Sequence, residues 1–407
     1  MKTTRVYLML PLLALIACRS ERVDFATGLS RYNENELDDA RSIFERLAEA
    51  DPANAQVLSY LAETYRRSGE TELAVETARR ALSVDPCDGF AHCVLAEAMN
   101  PLARRWSGSD AESTWVHLLK AAECDTANGT PWLMIWGESI RRGEREMTAT
   151  AARRMIETGF FTPALLSYTR WVLTALPARA ILLTNGDMDT YPVAAVQEVE
   201  DLRSDVVLVN RGTLNEPWHA RYVRDVKGVP LPFTDEELDE LKPQKEGART
   251  AVTPAEQIIA GWIEMYSGGR LQHPVTFANT ISESYRDRFQ RPLQFCGAYT
   301  AVRTEEVDRP DVAAIESALS AYSPEEFFGP WVSSQDRSPV RRTGTKNIVR
   351  NVTHAALTLA EQAALKGNAD GFTRWLAYAR TLDNGSDLGP VFTDRMRQLE
   401  EMGVPVQ

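Results

Sequence analysis

A spacing of 34 residues recurs in the first third of the chain and constrains its fold more than any other feature. Asp51-Pro52-Ala53-Asn54 is followed 34 positions later by Asp85-Pro86-Cys87-Asp88. Leu61-Ala62-Glu63 and Leu95-Ala96-Glu97 are separated by the same interval, as are Ala40 and Ala74. A fixed period of this length indicates stacked copies of one supersecondary unit that cannot bury its apolar face alone.

The period resembles the tetratricopeptide repeat, a pair of packed helices. Ala62, Ala74 and Ala81 are small enough to let two helices approach closely, and larger side chains are expected to fill the groove between them: Leu61, Tyr65, Leu73 and Leu82. The resemblance implies a concave face that binds a protein partner. The alternative is a helical wrapper that packs only on the chain's own next domain, and the sequence leaves both open.

Two further units extend the array. Asp125-Thr126-Ala127-Asn128 closes a third unit 40 positions after Asp85, and Pro131–Gly159 keeps helical spacing without the motif. We therefore predict a helical repeat domain over residues 24–176.

The amino terminus has the features of an export signal. Lys2 and Arg5 precede an apolar run, Val6–Ala17, that is shorter than the roughly 20 residues a bilayer requires. Leu15-Ile16-Ala17-Cys18 resembles the lipobox of bacterial lipoproteins, in which the cysteine is lipidated. The resemblance implies a signal peptide over residues 1–17, a lipid-anchored linker over 18–23 and membrane attachment through Cys18. An ordinary signal peptide with an incidental cysteine is the alternative.

The same resemblance predicts a location. Arg19, and not an aspartate, follows Cys18, which favours the outer membrane, facing the periplasm, over the inner membrane. We therefore expect a membrane-anchored lipoprotein of the bacterial cell envelope.

Charge and cysteine content exclude several functions. The chain has 57 acidic and 45 basic side chains and a pI near 5.1, so we expect no nucleic-acid partner, because phosphate binding requires clustered Lys and Arg. The cysteines other than Cys18 lack the Cys-x-x-Cys spacing of metal and redox sites: Cys87, Cys93, Cys124 and Cys296. A disulfide of Cys124 with Cys87 or Cys93 is geometrically possible, but buried unpaired thiols are the favoured interpretation.

The middle of the chain predicts an α/β module. Ala180–Thr184, Val206–Val209 and His273–Ala278 are short apolar runs typical of buried strands. Helices are predicted at Val193–Asp201 and Thr253–Tyr266, so the strands are expected to be parallel.

The predicted fold class is thus a tetratricopeptide-like helical array, a parallel-sheet α/β module and C-terminal helices. We assign residues 177–305 to the module, 306–346 to an irregular linker and 347–407 to the C-terminal helices. Two packed helices are predicted in that last part, at Asn347–Lys366 and Ala369–Leu382.

Several segments of the module resemble a known family. Ile181–Pro192 is the most distinctive, and the other segments are Gln197–Glu200, Arg203–Val206, Val209-Asn210, Leu214–Trp218 and His273–Ala278. They resemble the soluble C-terminal module of an uncharacterised bacterial membrane-protein family that is distantly similar to eukaryotic protein O-mannosyltransferases. The resemblance covers roughly Pro177–Leu382, about half of the chain. The transmembrane transferase half of that family has no counterpart in this sequence, so glycosyl-transfer chemistry is not carried over.

The loop after the first predicted strand is the candidate ligand site: Asn185, Gly186, Asp187, Asp189, Thr190 and Tyr191. Ligands of open α/β sheets bind beyond the carboxyl ends of strands, where this loop is expected to lie. Asp187 and Asp189 resemble the Asp-x-Asp of metal-dependent glycosyltransferases, in which carboxylates hold a divalent ion. A structural role is favoured, in which Asp187 accepts loop amide protons and Asp189 or Thr190 caps a helix that begins at Pro192. We therefore assign no metal site, cofactor or catalytic residue.

One histidine is a candidate pocket residue. His219, beside Trp218, is a possible pocket residue, but a hydrogen-bonded structural histidine is favoured.

Two functions fit these observations. The leading hypothesis is a lipid-anchored envelope scaffold whose repeats bind a protein partner and whose α/β module has an unknown ligand. The alternative is an envelope glycan-related enzyme or carbohydrate-binding protein that uses the Asp187/Asp189 loop.

The lipobox yields the first prediction. Cys18→Ser is expected to release the protein from membranes, because the rest of the sequence has no other long apolar segment. Membrane sedimentation and electrophoretic mobility of the wild type and the variant measure this. A variant that still sediments with membranes and keeps the wild-type mobility would contradict the lipoprotein hypothesis.

Overall fold

The computed structural model describes residues 24–101, 108–246, 250–307, 309–330, 339–386 and 390–402. Cys18 and the predicted signal peptide lie outside these ranges. Within them, no helix has both the length and the apolar character that a membrane crossing requires.

Residues 25–157 form four helix pairs, as the 34-residue period and the spacing of Pro131–Gly159 predict. The pairs are α1 (Phe25–Asn33) with α2 (Leu37–Ala50), α3 (Ala55–Ser68) with α4 (Thr71–Val84), α5 (Gly89–Met99) with α6 (Ala111–Cys124), and α7 (Thr130–Arg142) with α8 (Arg145–Glu157). The period places a cap at equivalent helix starts. Asn54 accepts the N–H of Val57 at 3.1 Å before α3, and Asp88 accepts the N–H of Ala91 at 2.9 Å before α5.

Small side chains lie where the helices of the array meet. Ala40, Ala62, Ala74 and Ala96 are fully buried, which confirms the close approach that the sequence predicts. Leu73 is an exception, because 42% of it is exposed. Val75, two positions further along α4, packs with Ala62 and Leu95 instead.

A disulfide joins Cys87 and Cys124, whose Cα atoms are 5.2 Å apart. The favoured prediction of unpaired thiols is therefore wrong for these two residues. Cys87 precedes α5 and Cys124 ends α6, so the antiparallel pairing of the two helices brings the cysteines together. Cys93 and Cys296 are buried and form no disulfide with another described cysteine, in line with the favoured prediction.

The α/β module contains a five-stranded mixed sheet with the strand order β2-β1-β5-β7-β6. The strands are β1 (Ile181–Thr184), β2 (Val207–Asn210), β5 (Val275–Ala278), β6 (Leu293–Phe295) and β7 (Tyr299–Val302). β1 pairs in parallel with β2 and β5, which confirms the three predicted strands. β6 and β7 are antiparallel and were not predicted from the sequence. Gly297 turns the chain between them at φ +79°, a conformation that glycine adopts without steric cost.

Helices cover both faces of this sheet. α9 (Pro163–Ala175), α10 (Asp187–Glu200) and α15 (Val312–Ser320) share one apolar cluster with Leu182 and Leu208. α11 (Pro217–Asp225) and α13 (Pro254–Ser267) share another with the alternate strand residues. The predicted repeat domain extended to residue 176, yet the buried side chain of Trp171 places α9 in the core of the module.

The C-terminal part is more helical than predicted. Residues 306–346, predicted to be an irregular linker, include α15 and the start of α16 (Pro339–Leu365). α17 (Ala369–Ser386) is followed by α18 (Pro390–Met402), a helix that the prediction of two packed helices missed. Smaller elements complete the module: α12 (Asp235–Glu240), β3 (Gln244–Glu246), β4 (Thr250–Val252) and α14 (Glu283–Arg286), with β3 and β4 forming a separate antiparallel pair.

The array yields the second prediction. Ala62→Leu is expected to lower the free energy of unfolding by about 1–3 kcal/mol, because it overpacks a fully buried contact. Ala26→Leu is the matched control, since Ala26 lies on an exposed position of α1. Denaturant unfolding of both variants measures the difference, and equal stabilities would mean that α3 is not closely packed at Ala62.

Candidate functional site

The predicted loop lies at the carboxyl end of β1, but its helix begins earlier than predicted. α10 starts at Asp187, so Pro192 lies inside the helix and does not open it. The first turn forms before the proline because Asp189 accepts main-chain N–H groups from the two residues that precede the helix.

Asp189 performs the role that was predicted for Asp187. Its carboxylate accepts the N–H groups of Asn185 and Gly186, both at 2.8 Å, and the hydroxyl proton of Thr280. Thr280 follows β5, so this one carboxylate connects the ends of two neighbouring strands. Burial raises the pKa of Asp189, while the hydrogen bonds from Thr280 and the two amides oppose that rise.

The two aspartates of the Asp-x-Asp segment do not converge on one ion. Asp187 is exposed, whereas Asp189 is buried and both of its oxygens already accept hydrogen bonds. Among the residues that the structure describes, no group of three or more His, Cys, Asp or Glu side chains could hold a metal ion.

A cleft of about 420 Å³ opens beside α10, between the last helix pair, α7 and α8, and the α/β module. Thr190 and Tyr191 are the two residues of the predicted loop that line it. Most of the remaining lining comes from α7, α8, α10, β2 and α11, and the rest from the segments that connect α10, β2 and α11 or follow α11. A cleft of this size between two structural units is a typical small-ligand or peptide site.

Aromatic side chains form much of the wall. Trp136 of α7 and Tyr191 of α10 meet edge to face with ring centroids 5.5 Å apart. Three rings of α11 continue the wall. The ring centroids of Trp218 and His219 are 5.3 Å apart, and those of His219 and Tyr222 are 5.9 Å apart. The cleft is therefore apolar on two sides.

His219 is not the hydrogen-bonded structural histidine that the sequence favoured. It is buried, and neither of its ring nitrogens has a hydrogen-bond partner among the described residues. The indole N–H of the neighbouring Trp218 also has none. Burial lowers the pKa of His219 to about 4, so the ring is neutral at neutral pH and presents one donor and one acceptor.

The repeat array carries a second candidate surface, on the first helices of its pairs. Phe25 of α1, Tyr60 of α3 and Phe90 of α5 are half-buried and form a continuous row, with ring centroids 5.3 Å and 4.9 Å apart. A depression of about 330 Å³ beside Tyr60 and Phe90 is bordered by Asp85 and Asp125. We call the row and the depression the first-helix face.

Known protein families match both the repeat array and the α/β module. A family model described as tetratricopeptide repeat matches residues 32–88. A second, described as TMEM260-associated domain 2, matches residues 166–257. The chain thus contains tetratricopeptide repeats, and its α/β module is similar to a TMEM260-associated domain.

The second match begins within α9 and includes the loop, α10, β2 and α11. It contains the resemblance segments from Ile181 to Trp218, but not His273–Ala278, and it agrees with the placement of α9 in the module.

The solved structures that are similar to this chain are distant. Two structures entitled as crystal structures of MamA are 18% and 17% identical to this chain, with TM-scores of 0.28 and 0.29. Each alignment covers 44% of this chain, and 96% and 87% of the respective MamA chain. No curated protein matches the sequence.

Sequence reasoning found part of the cleft and missed the rest. It named Thr190, Tyr191 and His219, and it used the helical spacing of Pro131–Gly159, which contains Trp136, only as a sign of a fourth helix pair. Tyr222 gave no signal, because its role depends on the docking of α7 against α11. Asn185, Gly186, Asp187 and Asp189 lie at the strand end as predicted but do not line the cleft.

The loop yields the third prediction. Asp189→Ala is expected to lower the free energy of unfolding by about 1–3 kcal/mol, because it leaves the amides of Asn185 and Gly186 without their acceptor. Asp187→Ala is the matched control and is expected to change stability by less than about 0.5 kcal/mol, as is usual for an exposed side chain. Thermal melts with and without Mn²⁺ complete the test. A wild-type shift with Mn²⁺ that Asp189→Ala abolishes would show that the carboxylate binds metal.

Proposed function

We propose that this protein is a lipid-anchored scaffold of the bacterial cell envelope, whose tetratricopeptide repeats bind a protein partner through the first-helix face. The repeat array carries this proposal, because arrays of this type present extended surfaces to other polypeptides. The α/β module then adds a second surface on the same anchored chain.

Two observations support the location. The lipobox-like segment ending at Cys18 would supply the anchor. The disulfide between Cys87 and Cys124 is in keeping with an exported protein, because disulfides persist mainly in oxidising compartments such as the periplasm.

The first-helix face suggests the chemistry of the partner. Aromatic rings at protein surfaces supply much of the binding energy of interfaces. Asp85 and Asp125 place acidic groups beside the rings of Tyr60 and Phe90. A partner segment with an apolar side chain flanked by Lys or Arg matches this face in shape and charge.

The alternative is an envelope glycan-related enzyme or carbohydrate-binding protein that uses the Asp187/Asp189 loop, and the contacts of that loop favour the scaffold. The carboxylate of Asp189 is engaged by three hydrogen-bond donors within the fold.

Site-specific crosslinking tests the proposed scaffold. A photoreactive benzoylphenylalanine at Gln56, an exposed position that lines the depression, is expected to give a discrete adduct with one partner in intact cells. The matched control is the same residue at Glu76, exposed on α4, where no adduct is expected. Equal labelling at the two positions, or none at Gln56, would contradict binding through the first-helix face.

A further inference from the structure

The cleft beside α10 exposes one edge of the five-stranded sheet. β2 is the last strand in the order β2-β1-β5-β7-β6, and no other described strand pairs with its outer edge. Leu208 and Asn210 of β2 both line the cleft.

The ladder shows which main-chain groups point into it. The N–H of Val207 donates to the carbonyl oxygen of Ala180 at 2.8 Å, and the N–H of Arg211 donates to that of Thr184 at 3.1 Å. The main-chain groups of the odd-numbered residues of β2 therefore point toward β1. Successive residues of a strand direct their N–H and C=O groups to opposite edges. Leu208 and Asn210 therefore direct theirs to the outer edge, and these main-chain groups have no hydrogen-bond partner among the described residues.

Unpaired groups from α11 lie in the same cleft. The indole N–H of Trp218 and both ring nitrogens of His219 are buried and lack partners. A buried polar group without a partner costs free energy, so several of them lining one cleft indicate a ligand that supplies both donors and acceptors.

The charges of the cleft nearly cancel. Glu198 and Asp201 lie at its border with Lys227, and Glu198 also lies 3.7 Å from Arg153. His219 is neutral because burial lowers its pKa. The described residues that line the cleft contain no cluster of cations that could bind an anionic ligand such as a phosphate, so the ligand is expected to be neutral.

We propose that the cleft binds an extended, neutral peptide segment of another protein, which adds to the outer edge of β2 as a further strand. The peptide's N–H and C=O groups pair with those of Leu208 and Asn210, as in other cases of strand addition. Its alternate apolar side chains contact the aromatic walls around Trp136 and Trp218. This site is separate from the first-helix face and goes beyond the proposed scaffold function.

Peptide selection against the full mature protein tests this proposal. A displayed library of random linear octapeptides is selected on the wild type, and recovered peptides are titrated while the indole N–H resonance of Trp218 is followed by NMR. Trp218→Phe identifies that resonance by its loss. Trp171 provides the control, because its indole N–H is also buried and unpaired but lies in the core of the module, away from the cleft.

We expect recovered peptides that shift the Trp218 resonance and leave that of Trp171 in place. N-methylation of their main chain is expected to weaken binding by about tenfold or more at every second position, because only alternate residues face β2. His219→Phe keeps a planar ring and removes no hydrogen bond of the fold. This variant is expected to remain folded and to bind the same peptides more weakly.

Three results would overturn the proposal. One is that no recovered peptide shifts the Trp218 resonance, even if some peptides bind at the first-helix face. Another is an N-methylation profile without a period of two. The last is that a neutral monosaccharide such as N-acetylglucosamine shifts the indole N–H resonance of Trp218 and no peptide does. That result would assign the cleft to a small polar ligand.

Discussion

An array of helix pairs leaves the apolar side of its last pair uncovered, and the arrangement of this protein depends on how that side is buried. Leu133 of α7 and Met155 of α8 share a cluster with Phe160, Met188 and Ala195, the last two of which belong to α10. The α/β module thus takes the place that a fifth pair would occupy, and it terminates the array as a capping unit does.

This contact also determines where the candidate sites lie. α10 contacts the repeats with one side, the sheet with another, and borders the cleft with a third. Asp189 fixes the start of the helix by binding the amides before it, so the loop that resembled a metal site instead holds α10 against β1 and β5. The position of the cleft follows from that placement.

Local patterns were sufficient to predict the helix pairs and the three parallel strands. Ala62 and Ala96 are buried where the period placed them, and the register of Ile181 with Val207 and Val275 follows the predicted strands. The errors occur where a local signal was ambiguous. Proline is a common first residue of helices, so the helix was predicted to begin at Pro192. Instead, the carboxylate of Asp189 stabilises a first turn that begins at Asp187.

The sequence by itself determined the repeat array, the α/β character of the module and the strand end that carries the loop, because these depend on periodicity, burial and capping within short segments. Only the tertiary structure decided the disulfide between Cys87 and Cys124, the antiparallel strands β6 and β7, and the cleft between α7, β2, α10 and α11. Each of these joins segments whose proximity is set by the packing of whole elements. Such contacts leave no periodic signal in the chain, so Trp218, His219 and Tyr222 become a candidate site only when α7 docks beside them.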